Sequence, residues 1–403
     1  MTIPMLGRRG ALTAGVLAAA LPRLGRAAQA DAITIGVLTD QTGPYADSGG
    51  PGSVLSAQMA ARDFGGSVLG KRIEIVSADT RNKPDIAASI AREWYDSGVD
   101  VIVDLPVTPI AAAVQQIARE KNRSVMIDAA VVNDFTGKSC APISTHWADN
   151  THAMVSATAK AAVTGGKETW FFITVDYSFG HALQAEATSV IEAAGGSVIG
   201  SANFPLGATD FSSQIVSARS SGARVIGLAA VGNDQVNLIK QASEFGLTLG
   251  GKQTLAGFLV FITDINALGL TISQGITFGS GFYWDQSDDS RAYAKRFRAE
   301  RKAMPTKTQS AVYASCLHFL KSMQKAATRD PIAVNRAMRS LPVANFGRPT
   351  TVRADGRVIY DLTLYRVKTP GESHGPWDYF QPVGSIPAAE AFLPMTSACE
   401  FAV

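Results

Sequence analysis

The sequence predicts an α/β fold of two doubly wound lobes, each built on a parallel sheet and joined by three hinge crossings. Apolar strand patterns alternate with amphipathic helical patterns from residue 32 onward, which is typical of βαβ units. The alternation starts again after residue 148. Residues 31–403 number 373, which is too many for one hydrophobic core and indicates two domains.

The first lobe opens with alternating strands and helices. Its predicted strands are residues 32–39, 72–79, 100–106 and 124–131. Helices are predicted at residues 52–66 and 83–98, both of which close at glycines. A third helix follows the sequence LPVTP, with Thr108 as its N-cap and Pro109 at the first helical position. The backbone N–H groups from Ile110 onward then lack intrahelical partners and can bind an anion.

The second lobe repeats the architecture, although no sequence repeat is visible. Its predicted strands are residues 169–176, 197–205, 224–231, 253–260 and 274–284. Its predicted helices are residues 152–166, 180–196, 210–222 and 234–246. Two more helices, residues 290–304 and 309–327, are expected to return to the first lobe. Residues 352–368 predict a β-hairpin around Asp355 and Gly356.

These patterns predict the lobe boundaries. Lobe 1 is expected to comprise residues 31–148 and 283–350, and lobe 2 residues 149–282 and 351–390. Residues 391–403 form a C-terminal tail. The chain would cross between the lobes near Trp147, Tyr283 and Thr350.

The first thirty residues predict a cleavable export signal. They combine a charged start, a modestly apolar middle and a small-residue end at Ala28-Gln29-Ala30. Arg8-Arg9 resembles a twin-arginine signal, and an ordinary secretory signal with a chance arginine pair is the alternative. Both place the mature chain in a bacterial periplasm. The apolar stretch is too short to span a membrane, and no cysteine near the cleavage site could carry a lipid.

Charge and cysteine content narrow the function classes. The precursor has a net charge of +3. Without the four arginines of the leader, 33 basic and 34 acidic residues remain. The charge of the remaining chain therefore does not indicate nucleic acid binding. Cys316 lies in an apolar helical pattern and is predicted to be a buried thiol. Cys140 and Cys399 lie in loop-like sequence and could form a disulfide that pins the tail, while an unpaired thiol or another pairing fits equally well.

Catalytic and cofactor motifs are not found in the sequence. No P-loop, G-x-G-x-x-G fingerprint, G-x-S-x-G elbow or C-x-x-C is present, and no two histidines have metal-ligand spacing. The predicted strand ends carry aromatic and small polar residues instead. Since ligands of open α/β sheets bind at these carboxyl ends, two facing lobes predict a binding cleft that closes by hinge motion. We expect neither an enzyme nor a cofactor.

Four stretches resemble the branched-chain amino acid type of periplasmic binding proteins, the receptors of ABC importers. They are ITIGVLTDQTGPYADSGGPGSVLSAQMAARDFGG, GKRIEIVSADTRNKPDIAASIA, DYSFGHAL and DFSSQIVSA. The resemblance extends from Ile33 to about Tyr365 and implies the type I periplasmic binding fold. It also implies a monomer that delivers a small molecule to a permease at the inner membrane.

The resemblance also implies a set of binding residues. The family holds its ligand's carboxylate on a hydroxyl residue at a helix start, and Thr108 matches that position. Members that bind α-amino acids hold the ammonium with an acidic residue and a hydroxyl, where this chain has Leu259 and Val132. A shift of the match by one residue would instead bring Asp234 or Asp264 to the acidic position.

The predicted site therefore has one anion-binding end and apolar walls. Val231 replaces an expected aromatic residue, whereas the expected rings remain as Phe179 and Tyr313. Phe258 is a further candidate wall. The predicted ligand-binding residues are Tyr45, Ser48, Thr108, Ala130, Val132, Tyr177, Phe179, Val231, Leu259, Trp284 and Tyr313.

A buried ammonium without a counter-charge is costly, so these residues favour a hydrophobic aromatic or aliphatic carboxylate. The alternatives are an amino acid or amide ligand, an exported α/β enzyme, and a sensor that presents its ligand to a membrane receptor without transport.

Overall fold

The computed structural model describes residues 32–162, 168–247, 252–397 and 399. The predicted leader, residues 1–30, lies outside this range. None of the helices in these segments is long and apolar enough to cross a membrane.

A six-stranded sheet forms the centre of the first lobe. Its strands are β1 (Ala32–Thr39), β2 (Ser67–Val68), β3 (Lys71–Asp79), β4 (Val101–Asp104), β5 (Ser124–Ile127) and β6 (Ser144–His146). The order is β2-β3-β1-β4-β5-β6, and all pairs except β2–β3 are parallel. Alternate residues of β4 face opposite sides, so Val101 and Val103 join one apolar core and Ile102 joins the other.

Helices cover both faces of this sheet. The first three are α1 (Gly50–Phe64), α2 (Pro84–Ser97) and α3 (Thr108–Lys121). Three later helices are α10 (Asp288–Arg301), α11 (Lys307–Ala326) and α12 (Pro331–Ser340), of which α10 and α11 pack against α1. Each of the six has an apolar face buried in the core.

The second lobe contains a four-stranded parallel sheet. Its strands are β7 (Thr169–Val175), β8 (Ser197–Phe204), β9 (Val225–Ala229) and β10 (Thr254–Gly257), in the order β10-β9-β7-β8. Its helices are α4 (Thr151–Ala162), α5 (Ser178–Ala193), α6 (Ser212–Ser220), α7 (Gly232–Glu244), α8 (Ile262–Leu268) and α9 (Leu270–Ser273). Trp170, Phe172 and Phe258 stack in its core.

An antiparallel sheet extends the second lobe. It comprises β11 (Thr277–Ser280), β14 (Leu362–Val367) and β15 (Phe380–Ile386), and β11 pairs with β14. The sequence pattern suggested that residues 274–284 continue the parallel run. That expectation was wrong because β14, a distant segment of the chain, supplies the partner strand. The chain's last described helix is α13 (Ala388–Ala391).

The predicted hairpin around Asp355 and Gly356 is confirmed at its turn but is shorter than residues 352–368, because the later part forms β14 and pairs with β11 and β15. It consists of β12 (Thr351–Val352) and β13 (Val358–Ile359), paired antiparallel. A bridge between His146 and Arg357 joins this hairpin to the first lobe's sheet edge. The chain passes from the first lobe to the second between β6 and α4, and it returns between β11 and α10. The third crossing therefore lies between β13 and β14. We propose that the last lobe boundary lies near residue 360 rather than 350, and the other boundaries remain predictions.

Two of the three cysteines form a disulfide, and the third is a free thiol. Cys140 and Cys399 form a disulfide with their Cα atoms 5.6 Å apart. This bond ties the C-terminal segment to the loop before β6. Cys316 is fully buried in α11 as a free thiol, as the helical pattern predicted.

Candidate functional site

The carboxyl ends of parallel strands from both lobes face one cavity. Helices that begin at its wall include α3, α5, α7 and α8, which follow β4, β7, β9 and β10. Helix N-termini carry unpaired N–H groups and the positive end of the helix dipole. Their convergence makes the cavity, of about 420 Å³, suited to a ligand with one negative group.

Thr108 lies in the first-lobe wall with its hydroxyl uncommitted. The sequence predicted it as the N-cap of α3, but Val107 is the N-cap, because the carbonyl of Val107 accepts the first helical hydrogen bond from Ala111 N at 2.9 Å. Thr108 is therefore the first helical residue and makes no capping hydrogen bond. Within the part of the chain that the structure describes, its hydroxyl and the amides of Thr108 and Ile110 make no hydrogen bond, which leaves them available to a ligand.

Aromatic and aliphatic side chains form the second-lobe wall. Tyr177 precedes α5 and Phe179 lies in its first turn, with their ring centroids 5.7 Å apart. Val231 is the N-cap of α7. Leu259 and Phe261 lie between β10 and α8, and both line the cavity.

The lobes contact each other at the cavity. The Tyr45 hydroxyl of the first lobe lies 3.0 Å from the Tyr177 hydroxyl of the second, within hydrogen-bond distance. Nearby, Asn233 N donates to Pro44 O at 3.3 Å. Burial raises the pKa of both tyrosines, so both hydroxyls stay protonated. The structure thus represents a closed arrangement of the lobes.

Asp104 adds a carboxyl group to the cavity wall, a position that sequence reasoning did not assign to the site. It ends β4 and is fully buried, and its φ of 78° and that of Leu105, 66°, are both left-handed. Asp128 Oδ2 accepts a hydrogen bond from Asp104 N at 2.9 Å, which holds this turn. Burial raises the pKa of Asp104 to about 6. The nearby Ser53 and Thr39 hydroxyls have the opposite, smaller effect and lower this pKa.

The structure brings most of the predicted ligand-binding residues to this cavity. Those that line it are Tyr45, Ser48, Thr108, Ala130, Tyr177, Phe179, Val231 and Leu259. The Ser48 hydroxyl donates to Tyr45 O at 3.1 Å and so supports the loop that carries Tyr45.

Three predicted residues lie elsewhere. Val132 is the N-cap of a 3₁₀ turn, Asn133–Thr136. Trp284 donates its indole N–H to Trp377 O at 2.7 Å. Tyr313 lies on the outer side of α11, where its hydroxyl donates to Asp63 Oδ2 at 2.6 Å. Phe258 does not line the cavity and packs in the lobe core, where its ring stacks with Phe172.

Comparison with known proteins supports the architecture. Residues 32–373 match the family model described as periplasmic binding protein. The chain belongs to this family. It is 27% identical over 375 residues to Leu/Ile/Val-binding protein homolog 6 of Brucella melitensis, covering 86% of this chain and 94% of that protein.

Solved structures extend this comparison. A periplasmic binding protein from Burkholderia mallei is 41% identical, with a TM-score of 0.89 over 92% of this chain and 99% of that chain. An ABC transporter solute-binding protein from R. palustris in complex with benzoate is 19% identical, with a TM-score of 0.79 over 89% and 98% of the two chains, and shows the shared fold. This chain is thus a periplasmic solute-binding protein of an ABC transporter, of the branched-chain amino acid type.

A one-residue shift of the match would place Asp234 or Asp264 at the ammonium-binding position. In this binding protein both side chains already accept hydrogen bonds from backbone amides. Asp234 accepts from Gly207 N at 2.9 Å, and Asp264 accepts from Phe261 N at 2.9 Å, which caps α8. Burial raises the pKa of Asp234 to about 6 and that of Asp264 to about 7. Neither of these two residues lines the cavity. In the described part of the second lobe, no acidic side chain lines it.

Proposed function

We propose that this binding protein is the periplasmic receptor of an ABC importer for a small hydrophobic carboxylate, either an aromatic or an aliphatic acid. The lobes close over the ligand, and the closed form docks on the permease at the inner membrane. We expect the receptor to act as a monomer, without nucleic acid, cofactor or catalytic turnover.

One observation carries this proposal: the first-lobe wall offers a side-chain hydroxyl at a helix start, whereas the second-lobe wall presents mainly apolar side chains. In the first wall lie the free Thr108 hydroxyl and the positive end of α3. The second wall includes Phe179, Val231, Leu259 and Phe261. A carboxylate at the first wall would gain charge-assisted hydrogen bonds while its apolar body is buried against the second. A sugar would leave most of its hydroxyls unpaired there.

An amino acid is the second candidate ligand, and Asp104 is the observation that favours it. An ionised Asp104 could hold an ammonium group in the cavity. A protonated Asp104 could instead donate a hydrogen bond to a ligand carboxylate. Its raised pKa supports the second role near neutral or slightly acidic pH, because an approaching anion raises the pKa further.

Ligand-dependent thermal unfolding separates these candidates. The mature chain is refolded to remove carried-over ligand and scanned with benzoate, hexanoate, leucine, phenylalanine and glucose. A ligand at ~100 times its Kd should add about 2.7 kcal/mol to the free energy of unfolding. We expect stabilisation by the two acids and none by glucose. Stabilisation by leucine or phenylalanine alone would overturn the carboxylate proposal in favour of an amino acid receptor.

A further inference from the structure

A second chamber adjoins the ligand cavity at the hinge. It has Leu259, Phe261 and Thr308 as lining residues in common with the cavity, so the two spaces are adjacent. Residues of all three lobe crossings line it, among them Asp149 and Tyr360. Unlike the cavity, this chamber carries two cationic side chains, Lys307 and Arg348.

The Lys307 ammonium has unused hydrogen-bonding capacity. It lies 3.3 Å from Asp149 Oδ2 and 5.4 Å from the centroid of the Phe261 ring. The ammonium nitrogen is buried, and within the described residues it makes no hydrogen bond. Lys307 is also the first residue of α11, a 20-residue helix, so the helix dipole adds positive potential at the same place.

Arg348 brings a second positive charge to the chamber. Its guanidinium lies over the Tyr360 ring, 5.1 Å from the centroid, and Nη1 donates to Asp361 O at 3.2 Å. Its Nε is buried without a hydrogen-bond partner among the residues that the structure describes. Within those residues no carboxylate forms an ion pair with it, although Asp149 and Asp361 contribute attraction at longer range.

The charges in the chamber leave a positive excess. Asp149 balances Lys307 and also accepts from Tyr360 OH at 2.9 Å and Gly281 N at 3.1 Å. Asp128 is the other acid in the chamber wall, and burial raises its pKa well above the ordinary value, which favours the neutral form. Arg348, which is half-buried, therefore has no carboxylate ion-pair partner within the described residues, and a ligand carboxylate could supply one.

We propose that this chamber is a second anion subsite and that the ligand is a dicarboxylate. One carboxylate is held at Thr108 and the α3 N-terminus, and the other is held by Lys307 and Arg348. The apolar residues common to both spaces cover the carbon body between the two carboxylates. This inference rests on the proposed function and narrows its substrate class.

Matched pairs of acids test the second subsite. Calorimetric titration of the mature protein compares benzoate with terephthalate and hexanoate with adipate. Terephthalate adds a second carboxylate at the far side of the benzoate ring, and adipate carries a carboxylate in place of the terminal methyl group of hexanoate. A second charge-assisted contact of about 1.4 kcal/mol or more makes each diacid at least about tenfold tighter than its monoacid.

Charge-removing variants locate the effect. Arg348→Met and Lys307→Met should each reduce diacid affinity by about tenfold or more and leave monoacid affinity unchanged within about twofold. Arg348→Lys, which keeps the charge, should retain most of the diacid preference. Lys121→Met is the matched control, because Lys121 pairs with Asp96 on the surface away from both spaces.

The outcomes separate the two proposals. Monoacids that bind as well as or better than the diacids would overturn the second subsite and leave the carboxylate receptor standing. Variants that weaken both acid classes equally would also overturn it, since the two cations would then act on the fold rather than on the second carboxylate. If none of the four acids binds, the proposed function itself fails.

Discussion

At the scale of single residues, the account depends on Thr108. Thr108 lines the cavity, and Val107, one residue earlier, takes the N-cap position. The N-terminus of α3 therefore does not use the Thr108 side chain as a cap. A free hydroxyl and two free amides at one point are the arrangement that a carboxylate needs.

Replacing Thr108 tests this residue. Thr108→Val keeps the shape and removes the hydroxyl, so benzoate affinity should fall by about 10- to 100-fold, the loss of one hydrogen bond to a charged group. The measurement is calorimetric titration at constant pH. Thr34→Val is the matched control, because the Thr34 hydroxyl is also buried and without a hydrogen-bond partner within the described chain, but lies outside the cavity. Equal losses in both variants would remove Thr108 from the site.

Asp104 makes stability depend on pH. Its pKa in the folded protein is about 6, above the ordinary value of 3.8, so the folded state binds more protons than the unfolded state between these two pH values. Stability therefore falls as pH rises from about 4 to 6, and above pH 6 the full cost, up to roughly 3 kcal/mol, is present. Asp104→Asn removes this titration.

Urea unfolding at pH 4.5 and 7.5 measures the effect of Asp104→Asn. The difference between variant and wild type should shift in favour of the variant by about 2 kcal/mol or more at the higher pH. Asp234 and Asp264 also have raised pKa values, but they titrate in both proteins and cancel in this comparison. Asp128 is coupled to Asp104, whose charge raises the Asp128 pKa, so the measured shift includes the response of Asp128. A variant effect that is the same at both pH values would contradict the burial of an ionising Asp104.

Motif resemblance could identify the residues at helix starts but not those contributed by the hinge. Thr108, Phe179 and Val231 follow strands in recognisable patterns, so their shared cavity was predictable. Lys307 and Arg348 come from segments about 200 residues or more beyond Thr108, and no local pattern relates them to it. Tyr313 was misassigned because its helix has a core face and an outer face, and the resemblance did not say which one Tyr313 occupies.

At the scale of elements, closure depends on the start of α7 meeting the loop after β1. Gly232 has a φ of 62°, and a Cβ there would lie 2.6 Å from Pro44 O, in the opposite lobe. Since backbone cannot yield as a flexible side chain does, a side chain at this position would hold the lobes apart. The Tyr45–Tyr177 contact lies beside this approach and depends on it.

Gly232→Ala should therefore weaken ligand binding by about tenfold or more, because closure delivers contacts from the second lobe. Small-angle scattering should show that the ligand no longer compacts the variant as it does the wild type. Gly222→Ala is the matched control: its φ is 68°, but a Cβ there meets nothing within 4 Å. Both variants carry the same backbone strain, so similar affinities in the two would contradict the closure argument.

The elements themselves were largely readable from hydrophobic periodicity. Strands β1, β4 and β7 are short apolar runs, and α10 and α11 follow helical patterns with capping boxes at their starts. The partner of β11 was not predictable, since a strand of four residues does not specify whether its neighbour is adjacent in sequence or distant. Pairing with β14 is decided by the return of the chain after α12.

At the scale of the whole molecule, the disulfide links the C-terminal segment to the first lobe across 259 residues. In the same C-terminal segment, the Phe392 ring packs edge-on to Tyr360 at a centroid distance of 5.3 Å. The Arg357 guanidinium lies over the Phe392 ring. The tail is thus connected to the residues around the third crossing. The sequence left this pairing open because loop residues carry no periodic signal.

Reduction of the disulfide should lower the free energy of unfolding by about 2–4 kcal/mol, mainly by freeing the unfolded chain. Urea unfolding with and without dithiothreitol measures this change. Cys399→Ser should show the lower stability in both conditions, and dithiothreitol should not alter it further. If the reductant changes the two proteins equally, the Cys140–Cys399 bond is not the source of the effect.

The central claim is that a carboxylate lies between the lobes at the start of α3. A crystal structure of refolded residues 31–403 with their tightest-binding acid tests this most directly. We predict a carboxylate oxygen within hydrogen-bond distance of Thr108 Oγ1 and of an α3 amide, with the apolar body against Phe179 and Leu259. A carboxylate bound elsewhere in the cleft, or an ammonium group of an amino acid seated on Asp104, would contradict the account.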